Sequence, residues 1–441
     1  MNTAIYQMQR VLIVVAMSAM VGYGEEPKSA GGSPSPTIEK TLVAHPGETL
    51  QVNSRYASQT IDSQAGNQVS VVVTRSVLEQ YEHDADRILR EHEVEISRHD
   101  HGITIYTDVD DAVLEHWQAD YKTVPPLRVH VKVLVPKQGY DVVARTTFGS
   151  QDIQNINGSV HADARQDAII INVLGDIEVN SIFGALTIRD VGGSVLRAKA
   201  REKVDIKHVK GPHVYAASSF GSLVLDDIAG FANAKAREDI NISNVGRDVE
   251  ATSSFGRVTI RNVVGRVLDA KGREKVDIKH VKGPHVHAAS SFGSLVLDDI
   301  AGSANVRARE DVNISNVGRD VEATSSFGAL TIRNVAGSVL YAKAREKVDI
   351  KAVRRDILDA SSSFGSLILD DVTGGAHAHA RKAITVSNVG GDLSASSSFG
   401  SVTIQHVGGS VHAKARGDIE LKNVAKEASI NSSFGKVRRV Q

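Results

Sequence analysis

A column of alternating phenylalanine and arginine is the first candidate for chemistry in this chain. It runs Phe148, Arg165, Phe183, Arg201, Phe220, Arg237 and onward to Arg416 and Phe434, in steps of 17 to 19 residues. Nine of the ten Phe belong to it, and each of the nine is followed by Gly. If column neighbours stack at a strand spacing of about 4.8 Å, each guanidinium falls within the ~6 Å reach of cation–π attraction. The column is then an exposed ladder able to grip sugars. The competing arrangement makes each Phe a plug for a corner. Side-chain parity favours the plug: if Ser253 faces inward, Ser254 faces out and Phe255 in, while Arg201 follows inward Ala200 and faces out. Parity therefore places the rings inside and the guanidiniums in solvent.

A second column runs from Asn155, Asn172, Asp190 and His208 to His406 and Asn423, and fifteen of its sixteen members are Asn, Asp or His, with Ala352 the exception. Each is followed by Val or Ile. These side chains bond their own backbone and tolerate tight bends. The mixture of three types points to a turn role rather than a uniform amide ladder. Asp226-Asp227, Asp298-Asp299 and Asp370-Asp371 recur every 72 residues. Four coils place such copies about 19 Å apart, too far to share a calcium ion, so they read as a solvated face. His99 with His101, His285 with His287 and His377 with His379 could face one way from a strand, but two ligands do not make a zinc site, and they read as surface. Thr187, Thr259, Thr331 and Thr403 recur only every fourth coil, unlike a flat ice-binding array. No phosphate loop or nucleophile motif is present. No residue is assigned as catalytic, cofactor-binding or metal-binding, and no cofactor is expected. A catalytic site would need unlike residues at one spot, and here the repeat is nearly unbroken.

Composition narrows the class. The 441 residues hold 51 Lys and Arg against 52 Asp and Glu, a net charge of -1, without the basic excess of a nucleic-acid binder. The absence of cysteine excludes disulfides, thiol chemistry and a lipid anchor on Cys. Arg10, the apolar run Val11 to Val21 and Gly22-Tyr23-Gly24 read as a signal peptide over 1–24, too short to span a bilayer. Residues 25–36, rich in Gly, Ser and Pro, read as a linker.

The elements that must position the columns follow from periodicity. Val249, Ala251, Ser253, Val258 and Ile260 alternate at period two, as do Leu196, Ala198, Ala200, Val204 and Ile206, so each set shares one strand face. Each unit of about 18 residues holds two short strands, two corners and a bend at the Asn/Asp/His–Val pair. One such pair cannot bury its apolar face, but stacked units can. The predicted fold is all-β: a right-handed parallel β-solenoid over 148–441. Residues 208–263 and 280–335 are nearly identical, an internal duplication of four coils. The region 37–147 predicts a β-rich cap with strands at Leu50–Val52, Gln68–Thr74, Val94–Ile96, Ile103–Tyr106 and Leu127–Val135. A short helix carrying Leu78, Tyr81, Ala85, Ile88 and Leu89 is expected after a capping box of Ser76 and Glu79.

Three features carry a family resemblance. Pro46-Gly47 precedes Leu50 and Val52; a helical excursion with Ala85 and Leu89 leads into Val94–Ile96; and Val135-Pro136-Lys137 leads through Val142-Val143 to Thr147-Phe148-Gly149. From residue 41 onward the chain resembles the bacterial "putative adhesin" family of β-strand-repeat domains of unknown function. The resemblance implies an exported, non-enzymatic solenoid in the periplasm, on the cell surface or outside the cell. A cell-envelope glycan or protein is the expected partner, with no nucleic acid and no membrane span after signal cleavage. The alternatives are a β-helix polysaccharide lyase or hydrolase, or a structural spacer of the envelope.

Overall fold

The chain winds into two long parallel sheets that face each other across a narrow core. This arrangement was obtained as a computed structural model, which describes residues 36–45, 47–137 and 139–440. The proposed signal peptide and nearly all of the proposed linker lie outside the described residues.

The N-terminal region shows how the stack begins. Strands β1 (Thr37–Val43), β2 (Thr49–Ser54), β3 (Ala57–Gln64) and β4 (Gln68–Val77) are followed by a 3-10 turn (Glu79–Asp84) and α1 (Ala85–Glu91). Then come β5 (His92–His99), β6 (Gly102–Val109), α2 (Asp111–Asp120), β7 (Leu127–Pro136), β8 (Asp141–Thr146) and β9 (Gln151–Ile156). Strands β2 and β3 already form a coil, on which β8 and β9 stack in parallel, Leu50 against Val142 and Ile61 against Ile153. The intervening residues fold back over the other side of that coil. There β6 lies parallel on β2 and β7 parallel on β3. Antiparallel β5 on β6, and β4 then β1 beyond β7, close the end.

The five strand runs expected in this region fall within β2, β4, β5, β6 and β7. The capping box does not form. Ser76 belongs to β4, the 3-10 turn starts only at Glu79 with Leu78 as its N-cap, and no side chain caps it. A helix period was present, but the pairing of β4 with β7 reaches Val77 and outcompetes a local cap. Helix α2, unforeseen from its short apolar pattern, is capped by Asp110, whose Oδ1 accepts from Ala112 N at 2.9 Å. It buries Trp117, whose Nε1 donates to Glu91 Oε2 at 2.6 Å.

From β8 onward the chain forms seventeen two-strand coils ending at Ala428–Ser432 and Val437–Val440. In β10 (Val160–Ala164) the inward residues are Val160, Ala162 and Ala164; in β11 (Ala168–Val173) they are Ala168, Ile170 and Val173. The assignment recurs along the rod except where a bulge shifts it and in the last coil, whose strands are not buried, so one sheet is Ala-rich and the other rich in Ile, Leu and Val. Large side chains meet small ones, which fills the space between sheets at interior density. Each fully buried Val, Leu or Ile contributes about 1.5–3 kcal/mol.

One face assignment changes. Val195, not Leu196, enters the core with Ala198 and Ala200, and Leu196 stands exposed beside Arg197. Here the register against the preceding strand shifts by one residue after Ile177. Such a bulge puts two successive residues on the same side.

Candidate functional site

Two corners join the sheets, and each carries one of the two columns. The Phe/Arg corner follows every Ala-rich strand. Take Val249–Ser253: Ser253 points inward, and its Oγ donates to Glu238 O at 2.6 Å and accepts from Gly256 N at 2.8 Å. The same hydroxyl bridge recurs at Ser181, Ser218, Ser290, Ser325, Ser362, Ser397 and Ser432. It ties the turn to the coil before it. The glycine is required by crowding: a Cβ on Gly256 would lie 2.4 Å from the Glu238 carbonyl carbon.

This tight turn overturns the plug expectation. Ser254 and Phe255 both face solvent, and Gly256 takes the inward place. Pleat alternation holds along a strand but not through a bend, so parity could not be carried across it. From Phe148 to Phe399 the rings are 40% to 57% exposed, and Phe434 is 81% exposed.

The backbone sets the rings and guanidiniums in register. Phe255 N donates to Arg237 O at 2.8 Å, and Phe220 N donates to Arg201 O at 2.8 Å. The side chains then stack along the rod: Arg165 Cζ lies 4.3 Å from the Phe148 centroid and 4.9 Å from that of Phe183. Arg237 is 5.0 Å from both Phe220 and Phe255, and Arg416 is 5.2 Å from both Phe399 and Phe434. Every neighbouring pair in the column makes this contact, so the column is one continuous ladder. Tyr56 extends it, stacking on Phe148 with centroids 5.1 Å apart. Its signal was in the sequence, since Ser54-Arg55-Tyr56 parallels Ser253-Ser254-Phe255, but 92 residues separate Tyr56 from Phe148.

The opposite corner is a backbone device. All sixteen members of the second column have φ between 53° and 57°. Such left-handed backbone favours Asn and Asp. The residue breaks pleat alternation so that the following Val or Ile re-enters the core, as Val173 does after Asn172. Their side chains also join in short exposed chains of hydrogen bonds. Asn172 Nδ2 donates to Asn155 Oδ1 at 2.8 Å, and Asn262 Nδ2 to Asn244 Oδ1 at 2.9 Å. Asp226 belongs to this edge: Ser243 Oγ donates to it at 2.6 Å and Asn244 Nδ2 at 2.8 Å. The bond from Ser243 above all holds its carboxyl below the usual range. Asp298 and Asp370 repeat the arrangement with Ser315 and Ser387.

The paired histidines stand exposed on the surface. Among the described residues no group of three or more His, Asp or Glu converges to hold a metal ion. A non-repeating aromatic group of His213, Tyr215 and Phe231 lies on the Ala-rich sheet, with Tyr215 and Phe231 edge to face at 5.9 Å. Among the described residues no helix is long and apolar enough to cross a membrane.

A third column went unread in the sequence. Two residues before six of the eight ladder Arg, on the outward face of the Ala-rich strand, stand Lys199, Lys235, Lys271, Arg307, Lys343 and Lys414, all exposed, while Asp163 and His379 take the place before Arg165 and Arg381. The corresponding sites on the Phe coils are uncharged apart from Arg145, as at Ala217 and Thr252, which flank Lys235 in register. The signal was the recurring Lys-Ala-Arg tripeptide, at 199–201, 235–237, 343–345 and 414–416.

No known protein-family pattern matches the chain, and no curated protein does. Among the crystal structures similar to it at low scores are three of bacterial proteins. A "putative cell adhesion protein" from Clostridium sporogenes is 9% identical, covering 51% of this chain and 98% of its own, with a TM-score of 0.23. A "putative adhesin" from Bacteroides fragilis is 11% identical, covering 93% and 100%, with a TM-score of 0.14. Another from Parabacteroides distasonis is 10% identical, covering 92% and 98%, with a TM-score of 0.14.

Proposed function

We propose that this chain is an exported, non-enzymatic β-solenoid with an adhesin-like role, presenting repeated faces to a glycan or protein partner of the cell envelope. In this reading residues 1–24 direct export, 25–36 tether, 37–147 cap the rod and 148–441 form the binding surface. The observation that supports it is the ladder itself. A stack of half-exposed aromatic rings costs solvation that a buried plug would not, and sixteen cation–π contacts keep it ordered at solvent without a structural need for exposure. Repetition along a rod suits a polymeric or multivalent partner, where many weak contacts add through effective concentration.

The test is a glycan array and an envelope-protein pull-down with the purified protein lacking residues 1–24. Saturable binding in either is expected. Clean negatives in both would leave a mechanical spacer and reject the binding role.

A further inference from the structure

We infer that the Phe/Arg corner, together with the adjoining lysine column, is a rail for an acidic glycan carrying about one carboxylate or sulfate per disaccharide. This rests on the binding role proposed above and adds the chemistry of the ligand.

The first ground is what the ladder leaves free. Each ring from Phe148 to Phe399 has a neighbour over both faces: Arg on both sides, or Tyr56 and Arg165 for Phe148. No such face remains for a neutral sugar to stack upon. What the rings offer solvent is their edge, the positive part of the aromatic quadrupole. Among the described residues, none of the eight ladder Arg side chains donates a hydrogen bond to a protein acceptor or pairs with a carboxylate. Held between rings, each guanidinium can offer its N–H donors only sideways. A planar fork of donors suits carboxylate and sulfate.

The second ground is charge. The seventeen three-residue corners that begin at a ladder Phe or Arg hold fourteen Lys and Arg against nine Asp and Glu, an excess of +5 in a chain of net charge -1. Five of the nine acids are the Glu that follow ladder Arg at 202, 238, 274, 310 and 346. The other four are Asp, and they are spent internally: Asp239 Oδ1 accepts from Arg257 N at 2.8 Å, and Asp167, Asp311 and Asp418 do likewise one coil on. The lysine column adds further cations beside the first row: Lys271 and Lys343 are paired with Asp269 and Asp359 at 2.6 and 3.0 Å, while Lys199, Lys235 and Lys414 make no ion pair among the described residues. Around Lys235 and Arg237 the surface between ladder and column forms a shallow open hollow of about 630 Å³, lined by Ala217, Thr252 and Phe255 among others.

The third ground is spacing, which selects the polymer. Cationic ribs recur every second coil, about 9.6 Å apart. A pyranose linked through opposite ring carbons advances roughly 5 Å by bond-length geometry, so a disaccharide repeat matches one rib. In duplex DNA each strand carries a phosphate about every 3.4 Å of helix axis, nearly three per rib, which the rail cannot neutralise.

Oligosaccharides of hyaluronan, with one carboxylate per disaccharide, are the probe, and polyglutamate, duplex DNA and neutral dextran are the comparators. Affinity for hyaluronan is expected to rise with length up to about eight disaccharides, the number of ladder Arg, and to fall with added salt. Joint substitution of Lys199, Lys235 and Lys414 by Gln, which leaves the ladder stack in place, is expected to weaken binding at least tenfold. Joint substitution of Arg237, Arg273 and Arg309 by Gln should do the same, with circular dichroism reporting an intact sheet. Unchanged hyaluronan binding in the lysine variant, or polyglutamate or DNA bound as tightly as hyaluronan, would overturn the inference. Binding of neutral glycans or of an envelope protein alone would overturn it too, yet leave the adhesin-like reading standing. No binding of any kind would overturn both.

Discussion

The two corners of the rod recur at the same spacing, yet they are held by different physics. At the Asn/Asp/His corner the backbone makes the demand. A left-handed residue turns the chain so that Val or Ile regains the core, and the side chain is chosen for that conformation. At the Phe/Arg corner the backbone demand falls on Gly and Ser, while Phe and Arg answer only to each other. Residues of the first corner are therefore explained by folding. Those of the second exceed what the turn itself needs, and this is the ground for the binding role proposed there.

The largest break in that comparison is expected from Gly256→Ala. Its Cβ would press on backbone atoms of Glu238 and Asp239 that cannot rotate away, so destabilisation of about 3 kcal/mol is expected. Urea unfolding followed by amide exchange around coil 249–263 would measure it. A cost below about 1 kcal/mol would show that the corner yields, and the ladder with it.

A smaller effect separates ladder from plug. Phe255→Ala and Arg273→Ala should each cost about 1–2 kcal/mol, since each removes two solvent-exposed cation–π contacts. A plug would give about 3–5 kcal/mol for the Phe and almost nothing for the Arg. Comparable losses in the two variants are the signature of the ladder.

The smallest expected change is a gain. Ala352 alone holds φ 57° without an Asn, Asp or His side chain. Ala352→Asn should stabilise by about 0.5–1 kcal/mol by relieving left-handed strain. A thermal melt showing no gain would mean that the edge tolerates strain there and that its residue choice has another origin.

Much of this was legible along the chain. The period of about 18, the alternation within strands and the turn role of the second column all follow from local rules, and sixteen positive φ angles fall on the sixteen residues singled out. The misreadings share one cause. Leu196 and Phe255 were placed by counting alternate residues through a bulge and a bend, where alternation lapses. Ser76 and Glu79 satisfied a local capping rule that strand pairing with β7 overrode.

By itself the sequence determined that strands stack, how often they turn and which residue types recur at each turn, because these depend on neighbours within about 18 positions. Only the tertiary structure decided which way Phe points, because that depends on the turn closed by Ser253 and Gly256 against the previous coil. It also decided that Tyr56 joins a ladder beginning 92 residues later, because stacking brings together what the chain keeps apart.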